Sequence, residues 1–195
     1  MKLGKIDTVK KVASTAFQLK NNNLDFNLID FWAWNQSNLI ENRTRGILAE
    51  FIVMKALGIE SSIRVEWDPY DLKTLEGYKI EIKSAAYIQT WEQNDFSTIS
   101  FDIKPTKPFN NNSYSGTKTR PSDVYVFCLL HHKNQQSINP MMLEQWTFFI
   151  VSTKYLNINL PEQKSIGLAT IKNLPHEQCT YIDLKKGIDK VMIDS

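Results

Sequence analysis

The apolar residues of this 195-residue chain follow a helical spacing in its first third and a two-residue spacing farther on. Intervals of three and four predict an amphipathic helix over residues 5–20 and a second, very apolar helix from Asp25. A third helix is predicted from Glu41 or Asn42 to Gly58, because glycine is a common residue just past a helix C-terminus. The N-terminal part of the chain is therefore predicted to be helical.

Alternation of apolar and polar residues predicts strands in the rest of the chain. The clearest strand spans 78–89, with Ile80 and Ile82 on one face and Glu81 and Lys83 on the other. Further segments with strand character are 61–67, 97–103, 123–130, 146–151 and 165–171, and a short helix is predicted after Asp183. The length of 195 residues suits a single domain with a sizeable core.

A hairpin predicted just before the clearest strand places a carboxylate beside it. Gly77 supplies the turn, and segment 61–67 supplies a strand whose end would bring Asp71 next to Glu81. Glu81 and Lys83 lie roughly 7 Å apart along one strand face. Two carboxylates so placed can hold one hard divalent cation, with an ammonium one step away. Taken alone, a Glu-x-Lys pair is also typical of a solvated edge strand.

Asp71, followed after nine residues by Glu81-Ile82-Lys83, resembles the signature of the PD-(D/E)XK nuclease superfamily. In that superfamily a helix precedes the hairpin and often carries one more acidic residue. Glu50 lies in the corresponding predicted helix of this chain. The resemblance therefore extends beyond the motif to the helix before it.

The resemblance implies a restriction-endonuclease-like α/β fold, with a mixed central sheet of about five strands flanked by helices. One nuclease domain is expected, with a helical extension over 1–40, the core over 41–155 and a C-terminal elaboration over 156–195. The literal Pro-Asp pair is split here, so Asp68 is a rival to Asp71 as the first metal ligand.

The same resemblance implies roles for individual residues. Asp71, Glu81 and Lys83 are expected to be catalytic, with Glu50 as an auxiliary metal or water contact. Mg²⁺, or Mn²⁺ as a substitute, would be held by Asp71, Glu81 and the carbonyl of Ile82. Lys83 would orient the attacking water or offset phosphoryl charge, and the products would carry 5′-phosphate and 3′-hydroxyl ends.

Glu50 also stands out from its own surroundings. It and Lys55 are the charged residues of an otherwise apolar stretch, 46–58, and the helical spacing turns Glu50 toward the interior. Burying an ionised carboxylate is costly unless it is paired or bound to a metal. An ion pair with Arg43 or with Lys55 is the alternative to a metal contact.

Residues 104–120 form a basic, turn-rich segment that holds four cations and no acid. Nucleic-acid affinity comes largely from neutralised phosphates, so this segment is predicted to contact the substrate. The predicted contacts are Lys104, Lys107, Tyr114, Lys118 and Arg120, with Gln89 after the Glu-x-Lys strand as a further candidate. A solvated surface loop whose charges aid solubility is the alternative.

Composition bears on the charge, the membrane association and the cellular compartment expected of the protein. The 23 basic and 21 acidic residues leave a net charge of +2, so any nucleic-acid surface must be local. The sequence lacks an apolar N-terminal segment and any run of about 18 apolar residues, so neither export nor membrane insertion is expected. Two cysteines far apart in the sequence indicate a reducing cytoplasm.

The motif and the resemblance together imply a Mg²⁺-dependent endonuclease that hydrolyses DNA in restriction or mobile-element defence. A catalytically degenerate nucleic-acid-binding module of the same fold is one alternative, and an RNA-directed or repair nuclease is the other. A homodimer is expected, because cutting both strands requires two sites and small oligomers are usually two-fold symmetric.

Overall fold

A computed structural model describes residues 3–4, 6–60, 63–64, 68–106, 109–110, 113–114 and 116–194, with only the backbone described over 109–110 and 113–114. The strands are β1 (Ala16–Leu19), β2 (Asn22–Asn27), β3 (Leu72–Lys73), β4 (Lys79–Ala86), β5 (Ser100–Asp102), β6 (Phe109–Asn110), β7 (Ser113–Tyr114), β8 (Val124–Leu130), β9 (Trp146–Ser152), β10 (Ser165–Gly167) and β11 (Glu177–Cys179). The helices are α1 (Leu28–Gln36), α2 (Asn42–Ala56), α3 (Thr153–Asn159), α4 (Leu168–Asn173) and α5 (Leu184–Ile193), with a short 3-10 helix at Leu143–Gln145.

The central sheet has five strands in the order β11-β9-β8-β4-β3. β4 and β8 run parallel, with Ile82 opposite Val126, and the other neighbours run antiparallel. All seven residues of β8 are buried, as expected for a strand covered on both faces. The predicted mixed sheet of about five strands flanked by helices is therefore confirmed.

Each face of the sheet has its own apolar core. On one face, Ile80 and Ile82 of β4 pack with Ile52 and Val53 of α2 and with apolar residues of α5. On the other, aromatic and aliphatic residues of β8 and β9 pack under β5, β10, α3 and α4. Since side chains alternate along a strand, Glu81 and the residues two positions either side of it project to this second face.

Helix α2 begins and ends where the sequence indicates. The side chain of Glu41 accepts a hydrogen bond from Thr44 N at the N-terminus. At the C-terminus Gly58 has a φ of 66°, and the N–H groups of Gly58 and Ile59 donate to carbonyls of the last helical turn. This is the Schellman arrangement that glycine favours. No helix within the described residues is both long enough and apolar enough to cross a bilayer.

The N-terminal helix predicted over 5–20 is wrong. Residues 6–15 form neither helix nor strand, and residues 16–27 form the β1–β2 hairpin. Its two turn residues, Lys20 and Asn21, have φ values of 50° and 67°. Positive φ at both central residues is the geometry of a tight two-residue hairpin turn, which asparagine tolerates well. The second helix starts at Leu28 rather than near Asp25, because Asn27 caps it from outside.

Two other predicted strands are shorter than expected. Segment 97–103 contributes only β5, which pairs with β10 in a separate two-stranded sheet. Segment 165–171 is β10 followed by α4. The strand predicted over 61–67 lies mostly outside the described residues, and β3 is the hairpin partner of β4. The strands at 123–130 and 146–151 and the helix after Asp183 are confirmed as β8, β9 and α5.

Candidate active site

Two hydrogen bonds fix Asp71 to the edge of β4. The backbone N–H of Asp71 donates to Ile80 O at 3.0 Å, and the side-chain Oδ2 of Asp71 accepts from Ile82 N at 2.6 Å. β3 pairs only with the first residues of β4, so farther along this edge the Asp71 side chain takes the place of a neighbouring strand. The hairpin thus brings Asp71 beside the strand that carries Glu81, as the sequence indicates.

Glu81 and Lys83 form an ion pair on one face of β4. Lys83 Nζ lies 2.6 Å from Glu81 Oε1, and both side chains are largely shielded from solvent. Burial lowers the pKa of Lys83, but the carboxylates of Glu81 and Asp71 outweigh it and raise that pKa above its ordinary value. Lys83 therefore keeps its proton at neutral pH.

Asp71 is the carboxylate with the most unusual environment in the hairpin. Burial, then repulsion from Glu81, raises its pKa to about 7, with a smaller contribution from Glu50. The Ile82 N–H bond and the Lys83 charge oppose this rise without cancelling it. A cation bound nearby would stabilise the ionised form of this carboxyl group.

The Ile82 carbonyl belongs to the same edge. In a strand the N–H and C=O of one residue point to the same side, and Ile82 N–H points at Asp71. The backbone of Lys79 instead points to the β8 side of β4, where its carbonyl accepts from Asp123 N and its N–H donates to Asp123 Oδ2. Two carboxylates and this carbonyl are the oxygen ligands that Mg²⁺ prefers. Within the described part of the chain, no group of three or more His, Cys, Asp or Glu side chains could hold a metal ion.

Glu50 of α2 is held by an arginine that the sequence did not single out. Arg64 Nε and Nη2 lie 2.5 and 2.8 Å from the two carboxylate oxygens of Glu50, and the side chains are 42% and 14% exposed. Arg64, and neither of the alternative partners Arg43 and Lys55, forms this ion pair. The pairing residues are 14 positions apart, so no local spacing could have indicated them.

Glu50 and Asp71 line one cavity of about 520 Å³ between α2 and the hairpin. Asp68 and Tyr70 lie on the same cavity, and its apolar wall comes from α2 and β3. Asp68 is exposed, whereas Asp71 is bonded to β4. This geometry favours Asp71 over Asp68 as the residue that acts together with Glu81.

Two neighbours of the Glu81–Lys83 pair were also missed. Tyr125 of β8 lies opposite Glu81 in register and is buried. Burial and the Glu81 charge raise the pKa of Tyr125 above its ordinary value, so its hydroxyl stays protonated. Asp102 of β5 is near enough to add to the rise in the pKa of Lys83. Both come from strands distant in sequence, which no motif could relate to β4.

Arg120 does not lie at the surface that a phosphate contact requires. Its side chain is 5% exposed and donates to Ile103 O, Asn157 Oδ1, Leu160 O and Gln163 O at 2.7 to 3.0 Å. A guanidinium with these bonds ties residues 103 and 120 to α3 and the loop after it. The expectation that Arg120 binds nucleic acid is therefore replaced by a structural role.

The side-chain amide of Gln89 is also hydrogen-bonded within the protein. Its Oε1 accepts from Arg45 Nη1 at 3.3 Å, and its Nε2 donates to Ala86 O at 2.8 Å. Arg45 is buried and further bonded to Ser84 Oγ at 3.3 Å. These contacts fix the turn after β4 against the start of α2.

The basic segment 104–120 keeps two of its lysines on the surface. Lys104 and Lys118 are exposed, and the paired backbones of Thr106 and Thr119 close the base of the segment. Strands β6 and β7 form a short ribbon within it, so the segment is more regular than the predicted loop. Lys107 and the side chain of Tyr114 lie outside the described residues.

Comparison with protein families identifies the chain at this point. A model of the bacteriophage T4 endonuclease IV family matches residues 2–168. The chain belongs to that family. Family membership supports a nuclease that acts on DNA. The match contains α2, the β3–β4 hairpin, β8 and β9, and so every residue of the site described above. A comparison with curated proteins gives no match.

Proposed function

We propose that this endonuclease is a divalent-metal-dependent enzyme of PD-(D/E)XK type that hydrolyses phosphodiester bonds of DNA. One observation carries the proposal: Asp71 is bonded to Ile82 N on the strand whose flanking residues, Glu81 and Lys83, form an ion pair. This supports the order acid, acid, lysine that the superfamily uses, on a mixed sheet flanked by helices.

The residues present fit a hard divalent cation. Asp71, Glu81 and the Ile82 carbonyl would hold Mg²⁺, with Mn²⁺ as a substitute, and the remaining positions would be filled by water and substrate phosphate. When bound, the ion supplies positive charge for the phosphoryl oxygens and lowers the pKa of an attacking water. The raised pKa of Asp71 supports this assignment, because a neighbouring cation is what returns such a carboxyl to its ionised form.

The contribution of Lys83 follows from its charge. A lysine whose pKa is raised by its carboxylate neighbours is a hydrogen-bond donor at neutral pH and a poor proton acceptor. We therefore assign it to orienting the attacking water and to offsetting charge on the phosphoryl oxygens. Attack in line with the bond from phosphorus to the 3′ oxygen breaks that bond, leaving a 5′-phosphate and a 3′-hydroxyl that takes up a proton.

Glu50 is assigned a supporting role. Its charge is already compensated by Arg64, and it shares a cavity with Asp71. A compensated carboxylate can accept a hydrogen bond from a water without competing strongly for the cation. Glu50 would thus position water next to Asp71.

DNA is proposed to approach along the basic segment. Lys104, Lys107 and Lys118, with Tyr114, are the contacts that remain after Arg120 is assigned to the interior. Action in the cytoplasm, in restriction or mobile-element defence, is the setting we propose. The intact trio of Asp71, Glu81 and Lys83 argues against a degenerate binding module.

The experiment is cleavage of supercoiled plasmid with Mg²⁺, with Mn²⁺ and with EDTA. Asp71→Asn, Glu81→Gln and Lys83→Ala should abolish cleavage while circular dichroism stays unchanged. Lys79→Ala is the matched control, because Lys79 is on the same strand and face as Lys83. Full activity in EDTA, or equal loss in Lys79→Ala, would overturn the proposal. A parallel incubation with RNA distinguishes the RNA-directed alternative.

A further inference from the structure

Residues 16–36, which we call the hairpin–helix unit, form an ordered structure that is not buried. The unit consists of β1, β2 and α1, and all its residues are described. Gln18 Nε2 donates to Asn23 Oδ1 across the hairpin, and Asn27 and Asp30 form a reciprocal capping box at the start of α1. None of its residues is buried.

The unit exposes an unusual amount of apolar surface. Trp34 is 82% exposed. The ring centroids of Phe17 and Phe26 are 4.8 Å apart, and those of Phe31 and Trp34 are 6.4 Å apart. The exposed large apolar side chains are Phe17, Leu19, Leu24, Phe26, Ile29, Phe31, Trp32 and Trp34. Isolated two-stranded hairpins and nine-residue helices are marginal in water. The unit therefore needs a covering surface to be stable.

We propose that this covering surface is the same unit of a second copy of the chain. The eight side chains expose about 800 Å² in total, if a whole aromatic side chain contributes ~200 Å². A standard protein–protein interface buries about 800 Å² on each partner. The summed exposed area is thus comparable to the share of one partner in a standard interface, so it is large enough for a two-fold dimer.

Charge distinguishes this occupant from others. Residues 16–36 contain one cation, Lys20, and two carboxylates, Asp25 and Asp30, so the unit carries a net charge of −1. DNA requires a cationic surface, and membrane-surface helices are usually rich in lysine and arginine on their polar face. A nearly neutral, aromatic surface instead suits self-association, where two copies meet with little repulsion.

The dimer would also set the spacing of two active sites. Only residues 37–41 separate α1 from α2, the helix that carries Glu50. Pairing through the hairpin–helix unit would therefore limit the distance between the two active sites of the dimer. The inference does not depend on the metal-dependent mechanism, because it rests on the exposed unit alone.

The test is the mass of the intact protein in solution, by sedimentation or light scattering over a range of concentrations. The unmodified chain should have twice the mass of one copy at micromolar concentration. Trp34→Ser and Phe31→Ser should each weaken the dimer by about 30-fold or more, the fold-change that corresponds to a loss of ~2 kcal/mol at an anchoring aromatic residue. Trp91→Ser, an exposed tryptophan outside the unit, is the control and should leave the dimer unchanged.

Hydrogen exchange of the unmodified protein provides a second measurement that needs no variant. Backbone amides of β1, β2 and α1 should exchange more slowly at high than at low protein concentration. A monomer at every concentration would overturn the inference, as would a dimer insensitive to Trp34→Ser. Binding of the monomer to phosphatidylcholine vesicles, with protection of the same amides, would also overturn it, since the covering surface would then be lipid.

Discussion

Asp71 Oδ2 accepts a hydrogen bond from Ile82 N at 2.6 Å, so the carboxylate of the hairpin is attached to the residue between Glu81 and Lys83. The attachment has an electrostatic cost, because it holds a partly buried carboxyl close to the Glu81 charge. The protein thus keeps three ionisable groups within a short stretch of backbone before any cation or substrate binds. The predictions below follow from how each charge is compensated.

Without a metal, Asp71 should make the protein less stable as pH rises. Its pKa in the folded chain is raised to about 7, while about 3.9 is usual for an unfolded aspartate. The folded state should lose up to ~1.4 kcal/mol per pH unit between those values, because the unfolded chain releases its proton first. Asp71→Asn should remove this loss and be more stable than the wild type at pH 8. Urea unfolding in EDTA across this range tests it, and Asp68→Asn should behave like the wild type.

Binding of Mg²⁺ should be linked to the same proton. Below pH 7 the cation must displace a proton from Asp71, so its apparent affinity should rise with pH and level off above about 7. Glu81 contributes repulsion that raises the pKa of Asp71. The Glu81→Gln variant should therefore bind Mg²⁺ more weakly, and its affinity should level off at a lower pH than that of the wild type. Calorimetric titration at several pH values measures both effects. An affinity independent of pH between 5 and 8 would exclude Asp71 as a ligand.

The Glu50–Arg64 pair should be energetically coupled. Arg64→Gln leaves a mostly buried carboxylate without this partner, and we expect a loss of about 1–3 kcal/mol in the free energy of unfolding. Glu50→Gln combined with Arg64→Gln should be less destabilised than the sum of the single variants. Arg43→Gln and Lys55→Gln serve as controls, because neither forms this pair. A double variant equal to that sum would show that the pair is not coupled.

Substitution of Arg120 should lower the stability of the protein, whereas substitution of the surface lysines should weaken DNA binding. Arg120→Met removes a buried guanidinium from four acceptors and should cost about 3 kcal/mol or more of stability. Lys104→Ala with Lys118→Ala should leave stability unchanged and reduce the slope of log affinity against log salt by up to ~1.8. Thermal unfolding and salt-dependent DNA binding measure the two effects. An unchanged slope in the lysine variant would move the binding surface elsewhere.

The sequence predicted the parts of the fold whose information is local. Alternation around Ile80 and Ile82 is enough to orient β4, since the face that carries these two side chains must pack against an apolar core, here with α2. Gly58 marks the end of α2 because few other residues adopt its backbone conformation easily. The proximity of Asp71 to Glu81 was also predictable, since one hairpin connects them.

The remainder depends on contacts between distant segments or on ambiguous patterns. Apolar residues in segment 5–20 fit a helical spacing, yet residues 6–15 form neither helix nor strand, and the turn at Lys20 and Asn21 makes 16–19 the first strand of a hairpin. The burial of Arg120 is determined by Asn157, Leu160 and Gln163, which are 37 to 43 residues away. A cation in a polar, basic segment gives no indication of such partners, so its exposure was predicted wrongly.

The C-terminal segment covers the edge of β9, to which strands of other molecules could otherwise add. β11 pairs with the outer edge of β9, and α5 covers the adjacent face so closely that a Cβ at Gly187 would lie 2.7 Å from Ile150 Cδ1. Unpaired strand edges are templates for strands of other molecules. A chain shortened to the 168 residues nearest its N-terminus would present the free edge of β9 together with an uncovered apolar face. Such a fragment should form aggregates even though every proposed catalytic residue is still in it.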